Sequence, residues 1–173
     1  MHVEQASPNQ PDVIALIADL DAYQDLLYPA AARYTLDLAS LCKPNVLFVV
    51  AREGRNPALG CGAVVLHGSF GELKRMYVRP QARGKGIAQQ IIAALEARAY
   101  GAGCRTLVLE TGPYQPEALR FYSRQGYARR GPFGAYPAHA LSVFMGKSLG
   151  LPAVSLSDSA AESGLPQDAG ERQ

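Results

Sequence analysis

At 173 residues and 48% hydrophobic, the chain holds enough apolar material for one domain with a sizeable core and too little for two comfortable ones. Its 17 basic and 15 acidic side chains leave a net charge of +2, which offers no global field for nucleic acid or an anionic membrane, so any basic site has to be local. The longest apolar run, Val46 to Ala51, is far below the roughly 20 residues that span a bilayer, and Met1 to Gln5 lacks the regions of a signal peptide, so a soluble cytoplasmic protein is expected.

From the N-terminus, Pro11-Asp12 opens a stretch in which Val13, Ile14, Leu16, Ile17, Leu20 and Tyr23 recur at helical spacing, with proline where a first turn tolerates it. Tyr28-Pro29 ends that helix. A second, shorter helix is expected over Tyr34 to Leu41, before Lys43-Pro44-Asn45 breaks the chain. Val46 to Ala51 and Gly60 to Leu66 are apolar, β-branched runs around a turn-rich Glu53 to Pro57, and they read as an antiparallel hairpin. Ser69 to Val78 is a third strand whose alternation puts Glu72, Lys74, Met76 and Val78 on one face and Leu73, Arg75 and Tyr77 on the other.

A glycine-bearing turn then leads into a helix with Ile87, Ile91 and Leu95 at four-residue spacing, stopped by Gly101 and Gly103. Leu107 to Leu109 is a buried strand, Pro116 to Gln125 a helix closed by Gly126, and Leu141 to Met145 a final strand. A strand–helix–strand crossover from Leu73 to Leu109 places its strands parallel, whereas the early hairpin is antiparallel. The fold class expected is therefore mixed α/β, a mixed sheet flanked by helices. From Gly150 to Gln173 the chain is dominated by Pro, Ser, Gly, Asp, Glu and Ala with few large apolar side chains, and this tail is expected to be disordered, leaving one domain over residues 1–149. Cys42, Cys61 and Cys104 form no C-x-x-C pair and His2, His67 and His139 are scattered, so neither a disulfide nor a metal site is expected.

The segment Gln81-Ala82-Arg83-Gly84-Lys85-Gly86-Ile87-Ala88 joins a strand to a helix start, where unpaired N–H groups and the positive end of the dipole attract an anion. Gly84 and Gly86 allow close backbone approach, and Arg83 and Lys85 add charge beside it. The plainer reading is a helix start with solvated basic residues. Neither usual nucleotide signature fits, because Gln89 stands where G-x-G-x-x-G needs glycine and no G-x-x-x-x-G-K-[ST] is present.

Gln81-x-x-Gly84-x-Gly86 nevertheless resembles the Q/R-x-x-G-x-G/A element with which the GNAT family of N-acetyltransferases holds the pyrophosphate of acetyl-CoA. The preceding Leu73 to Pro80 is similar to that family's central fourth strand. Downstream, Pro116 to Tyr127 resembles its later helix, which ends in a tyrosine followed by three residues, a glycine and an aromatic. The resemblance covers roughly Val3 to Leu149 and is strongest from Glu72 to Tyr127. It implies a largely antiparallel sheet splayed between its fourth and fifth strands, with backbone at Met76, Tyr77 and Val78 free to pair with pantetheine. It also implies acetyl-CoA as donor, with no metal.

A protonated alkyl amine, with a pKa of ~10.4, has to lose a proton before it attacks a thioester. The resemblance offers Glu72 as the base, and Glu110, at the end of a strand, competes for that role; either could instead be only a paired or turn-capping carboxylate. Tyr122 matches the family's tyrosine that assists the departing thiolate, against a plain packing role beside Phe121. Tyr28, Tyr34, Tyr114, Phe133 and Tyr136 could wall an acceptor pocket. The Gly/Pro-rich aromatic loop Gly131 to Pro137 resembles a subset of small bacterial acetyltransferases and fixes no acceptor. The expectation is direct transfer to a small-molecule amine, with a homodimer left open. A non-catalytic acyl-CoA sensor and a protein or RNA acetyltransferase are the alternatives.

Overall fold

The computed structural model of the chain describes residues 1–150, and the tail expected from Gly150 to Gln173 lies outside them apart from Gly150. In chain order the elements are β1 (His2–Gln5), α1 (Pro11–Asp25), α2 (Leu38–Leu41), β2 (Val46–Arg52), β3 (Gly60–Leu66), β4 (Gly71–Val78), α3 (Ile87–Gly101), β5 (Thr106–Thr111), α4 (Pro116–Arg124), β6 (Ala128–Arg130) and β7 (Val143–Ser148). Short 3-10 turns occupy Ala30–Ala32 and Pro80–Ala82. The strands make one mixed sheet in the order β1-β2-β3-β4-β5-β7-β6, antiparallel at every pairing except β4 with β5.

The sheet is covered on both sides, which is why β2 and β3 are apolar almost without alternation. On one face the stripe Val13, Leu16, Ile17 and Leu20 of α1 packs on Phe48, Val50, Ala63 and Tyr77. The start of α1 is fastened by Asp12, which pairs with Arg52 of β2 and accepts from the Ala58 N–H at 2.9 Å. The Arg52 guanidinium holds the Asp12 carboxyl below the ordinary carboxylate range. On the opposite face Ile87, Ile91, Leu95 and Ala99 of α3 pack on Val64, Leu73, Leu107 and Leu109. Truncating one of these fully buried Leu or Ile side chains to Ala would cost ~2–5 kcal/mol.

Three features depart from the expectation. The edge strands β1 and β6 carry too little apolar signal to stand out, and each is defined by its ladder to β2 or β7. The second helix shrinks to the single turn Leu38–Leu41, capped by the Asp37 carboxylate accepting from Ser40 N–H at 2.7 Å. In β4 the expected alternation is broken, because between the pairs Cys61↔Tyr77 and Ala63↔Lys74 β3 advances two residues while β4 advances three. The extra residue forms a bulge at Arg75, whose φ is 57°. As a result Leu73, Met76 and Val78 share the α3 face, while Tyr77 joins the core under α1.

The bulge is held by distant partners. The Arg75 guanidinium pairs with Asp21 of α1 and donates to Leu36 O at 2.9 and 2.5 Å, and the Cys61 thiol donates to Arg75 O at 3.2 Å. Burial pushes that thiol up to about 12, so Cys61 stays protonated and inert.

Candidate active site

β4 and β5 pair only at Gly71↔Leu107, Glu72↔Val108 and Leu73↔Leu109. Beyond Leu73 the bulge turns β4 away, and the two strands part around a cleft of about 610 Å³. Met76, Tyr77 and Val78 line one wall and Glu110, Thr111 and Gly112 the other. Among the described residues the edge of β4 along this gap has no strand partner, so its backbone groups, apart from the Val78 O that accepts from Arg83 Nε, are open to an extended ligand.

At one end of the gap the chain turns through Gly84 and Gly86 into α3. Both glycines lie in the left-handed region, with φ of 77° and 74°, and a Cβ at either would meet no protein atom within 4 Å. From Gly84 to Gln89 no backbone N–H donates to a carbonyl among the described residues; Gln90 is the first, to Gly86 O at 3.1 Å. Six successive N–H groups therefore lack a backbone acceptor among the described residues, at a positive helix end. Arg83 and Ala88 line the cleft beside this turn, and Arg83 Nε donates to Val78 O at 3.1 Å. Lys85 and Gln81 are exposed, and the Ile87 side chain is buried in the core, so Ile87 can offer a ligand only its backbone. Open glycines, orphaned donors and an unpaired strand edge fit a pyrophosphate with an extended arm.

Where the strands part, Glu110 and Tyr122 line the same cleft from β5 and α4. Burial raises the Glu110 carboxyl above its ordinary range, against a hydrogen bond with Ser142 and the charge of Lys74. Burial also raises the Tyr122 hydroxyl, which therefore stays a proton donor at neutral pH. Its ring packs edge-on to Phe121 and Tyr127, with centroids 5.3 and 5.8 Å away. Glu72 is placed differently. It is buried in the sheet beside the cleft, where its Oε1 accepts from the Tyr136 hydroxyl at 2.5 Å and pairs with Lys74 Nζ at 2.9 Å, and its Oε2 stands 3.4 Å from His67 Nε2.

At the far end Tyr28 stacks on Tyr114 at 5.7 Å, and its hydroxyl accepts from the Tyr114 N–H at 3.1 Å. Its ring lies over Gly112, where any Cβ would come within 2.1 Å of it. Phe133 and Tyr136 lie behind this wall. Phe133 packs on Val108 and Phe144, while Tyr136 bridges Glu72 and Lys74 and meets Tyr34 edge-on at 4.7 Å. Lys74 and Arg33 also line the cleft, and the sequence reading had singled out neither as a ligand group.

The acetyltransferase (GNAT) family model matches residues 15–127. The chain belongs to the GNAT family. An "IAA acetyltransferase" from Azospirillum brasilense is 44% identical over 149 residues, covering 85% of this chain and 97% of that one. The crystal structure of a candidate acyl-CoA N-acyltransferase from Klebsiella pneumoniae is 42% identical, with a TM-score of 0.75 and coverage of 86% and 97%. A PaiA N-acetyltransferase from Thermoplasma acidophilum, solved with coenzyme A, shares the fold at 17% identity, with a TM-score of 0.66 over 86% and 99% of the two chains.

Membership makes this GNAT chain an acyltransferase of the N-acetyl-transferring type. Among the described residues no helix is long and apolar enough to cross a membrane, and no cluster of three metal-ligating side chains occurs. Of the residues singled out from sequence, Met76, Tyr77, Val78, Arg83, Ala88, Glu110, Tyr122 and Tyr28 line one cleft. Glu72, Phe133 and Tyr136 stand in the layer behind it.

Proposed function

We propose that this GNAT chain, through a domain spanning residues 1–149, moves an acetyl group from acetyl-CoA to the primary amine of a small molecule by direct attack. The observation that carries the reading is the parting of β4 and β5 beyond Leu73 and Leu109, with Glu110 and Tyr122 in one cleft with Arg83 and Ala88, which flank the Gly84–Gly86 turn and its orphaned N–H groups. Acetyl-CoA supplies the activated acyl group as a thioester. The N–H groups from Gly84 to Gln89 hold the pyrophosphate, and the free edge at Met76, Tyr77 and Val78 pairs with the pantetheine arm and polarises the carbonyl.

Glu110 takes the first proton from the incoming ammonium. Its raised pKa brings it nearer to operating pH, where a general base is most effective. The nitrogen lone pair forms the C–N bond as the C–S bond breaks. The second nitrogen proton ends on the departing thiolate, and Tyr122 donates a hydrogen bond to that sulfur. Because burial raises the Tyr122 hydroxyl further from the ~8.5 of a thiol, hydrogen bonding outweighs full proton transfer. Glu72 acts through others, by fixing Lys74 and Tyr136.

The relative named for acetylating IAA supports a small acceptor. The test is mass-spectrometric detection of acetylated product and free coenzyme A with the full chain, acetyl-CoA and a panel of amino acids, polyamines, aminoglycosides and peptides. Tight acetyl-CoA binding with no acetylation across the panel would favour the sensor reading.

A further inference from the structure

The loop before α2 forms part of the cleft wall through Arg33, Tyr34, Thr35 and Leu36. Tyr34, Thr35 and Leu36 take part in no backbone–backbone hydrogen bond among the described residues. Leu36 packs on the core beneath α1 and Tyr34 meets Tyr136 edge-on, but the hydrogen bonds that fix this stretch of backbone come from β4 side chains. Lys74 Nζ donates to Tyr34 O at 3.1 Å, and the Arg75 guanidinium donates to Leu36 O from Nε at 2.9 Å and from Nη2 at 2.5 Å. On a regular strand two neighbouring side chains point to opposite faces. Here both bond one loop, because the bulge re-aims Arg75.

Arg75 lies where two halves of the site meet. Leu73 is the last β4 residue paired with β5, and Met76 to Val78 form the edge assigned to pantetheine. With the donor on that edge and on the Gly84–Gly86 turn, the loop before α2 is left to the acceptor. The Arg75 side chain is only 5% exposed, and each of its three nitrogens has a protein partner, in Leu36 O or the Asp21 carboxylate of α1. Its backbone sits at φ 57°, a conformation that glycine takes freely and a residue with a Cβ resists. Resting on the transfer reading above, we propose that Arg75 is a positioning residue with two separable parts. Its guanidinium holds the acceptor wall from Arg33 to Leu36 in place, and its backbone, through the bulge, holds the Met76 to Val78 edge in place for acetyl-CoA.

The test compares Arg75→Gly with Arg75→Ala in the full chain. Both delete the guanidinium, and only glycine keeps the bulge conformation without strain. Three quantities are read: acetyl-CoA affinity by calorimetry, KM and kcat for the panel amine that wild type acetylates fastest, and the rate at which trypsin cuts after Arg33. Cutting after the exposed Arg55 of the β2–β3 turn is the internal reference. Both variants are expected to raise acceptor KM about tenfold, with kcat within threefold, and to be cut after Arg33 at least fivefold faster than wild type, with the Arg55 rate unchanged. Acetyl-CoA affinity is expected to stay within threefold of wild type in Arg75→Gly and to fall further than that in Arg75→Ala. Wild-type cutting after Arg33, an unchanged acceptor KM, or equal loss of acetyl-CoA affinity in the two variants would overturn the proposal. If circular dichroism shows that Arg75→Gly does not fold, Asp21→Ala takes its place, since it removes one partner of the guanidinium from a half-exposed site. It is then expected to raise acceptor KM and Arg33 cutting at least threefold, and wild-type values for both would overturn the proposal. If acetyl-CoA fails to bind wild type, the transfer reading falls, while the Arg33 cutting rates still decide whether Arg75 holds the wall.

Discussion

Exchanging Glu110 and Glu72 for Gln one at a time separates the proposed base from the proposed strut, because the two changes are expected to move activity and stability in opposite proportions. Burial raises the Glu110 pKa in the folded state, so folded protein holds that proton more tightly than unfolded chain does. The stability this contributes is complete below the unfolded value of ~4.3 and is lost as pH climbs through the folded value. Glu110→Gln removes the penalty of burying a charge, so its melting temperature at pH 8 should equal or exceed wild type. Turnover should fall ~10²–10⁴-fold, about 3–5 kcal/mol of barrier, and the acidic limb of kcat/KM, placed in wild type above the ordinary carboxylate range, should vanish.

Glu72→Gln breaks a pair in which the carboxylate side chain is 8% and Lys74 15% exposed. Losing one partner of such a pair costs ~3–5 kcal/mol. The amide oxygen can still accept from Tyr136, which sets the low end, roughly 3 kcal/mol or 6–12 °C for a chain of this size. Calorimetric melting curves and kcat/KM from pH 5 to 9 on both variants check this. A Glu110→Gln variant within threefold of wild type, beside a Glu72→Gln variant that melts normally and is a hundredfold slower, would refute the reasoning and move the base to Glu72.

Tyr122→Phe keeps the edge-on ring contacts and deletes the hydroxyl, so single-turnover transfer at saturating acetyl-CoA is expected to slow ~10²-fold, with donor affinity nearly unchanged. A rate within threefold of wild type would remove it from the mechanism. Gly86→Val places a β-branched side chain at φ 74°, beside the orphaned donors, and is expected to abolish acetyl-CoA binding by calorimetry while circular dichroism stays native. Ending the chain at Gly150 is expected to leave turnover nearly unchanged and melting temperature within a few degrees of the full chain, because Leu151, Val154, Leu156 and Leu165 are the large apolar side chains removed, scattered among Ser, Ala, Gly, Pro and Asp.

The legible parts of the fold were those whose signal is local. The stripes of α1 and α3 announce themselves in the spacing of Val13, Leu16 and Leu20 and of Ile87, Ile91 and Leu95, and these residues are the buried ones. The Gln81 to Gly86 turn was legible for the same reason, since two glycines before an apolar helix already state a backbone requirement that φ values of 77° and 74° meet. β1 and β6 were not, because His2–Gln5 and Ala128–Arg130 are short and polar and become strands only through the ladders β2 and β7 offer them.

The bulge is the most consequential feature that no window of sequence could show. A non-glycine residue at φ 57° is intrinsically unfavourable, and Arg75 adopts it because Asp21 and Leu36, 54 and 39 residues earlier, anchor its guanidinium. That anchoring has two consequences at once. It reverses the phase of β4, sending Met76 and Val78 to the α3 face, and it turns the strand away from β5 so that a cleft opens where a ladder would have continued. Arg33 is hidden in sequence for a related reason: it lines a cleft assembled from β4, β5, α4 and the loop before α2, which no window of sequence contains. Motif spacing can locate the turn that suits the donor's phosphates. The other residues lining the cleft come from segments with no fixed spacing to that turn, and they become readable only when the bulge has set the walls in place.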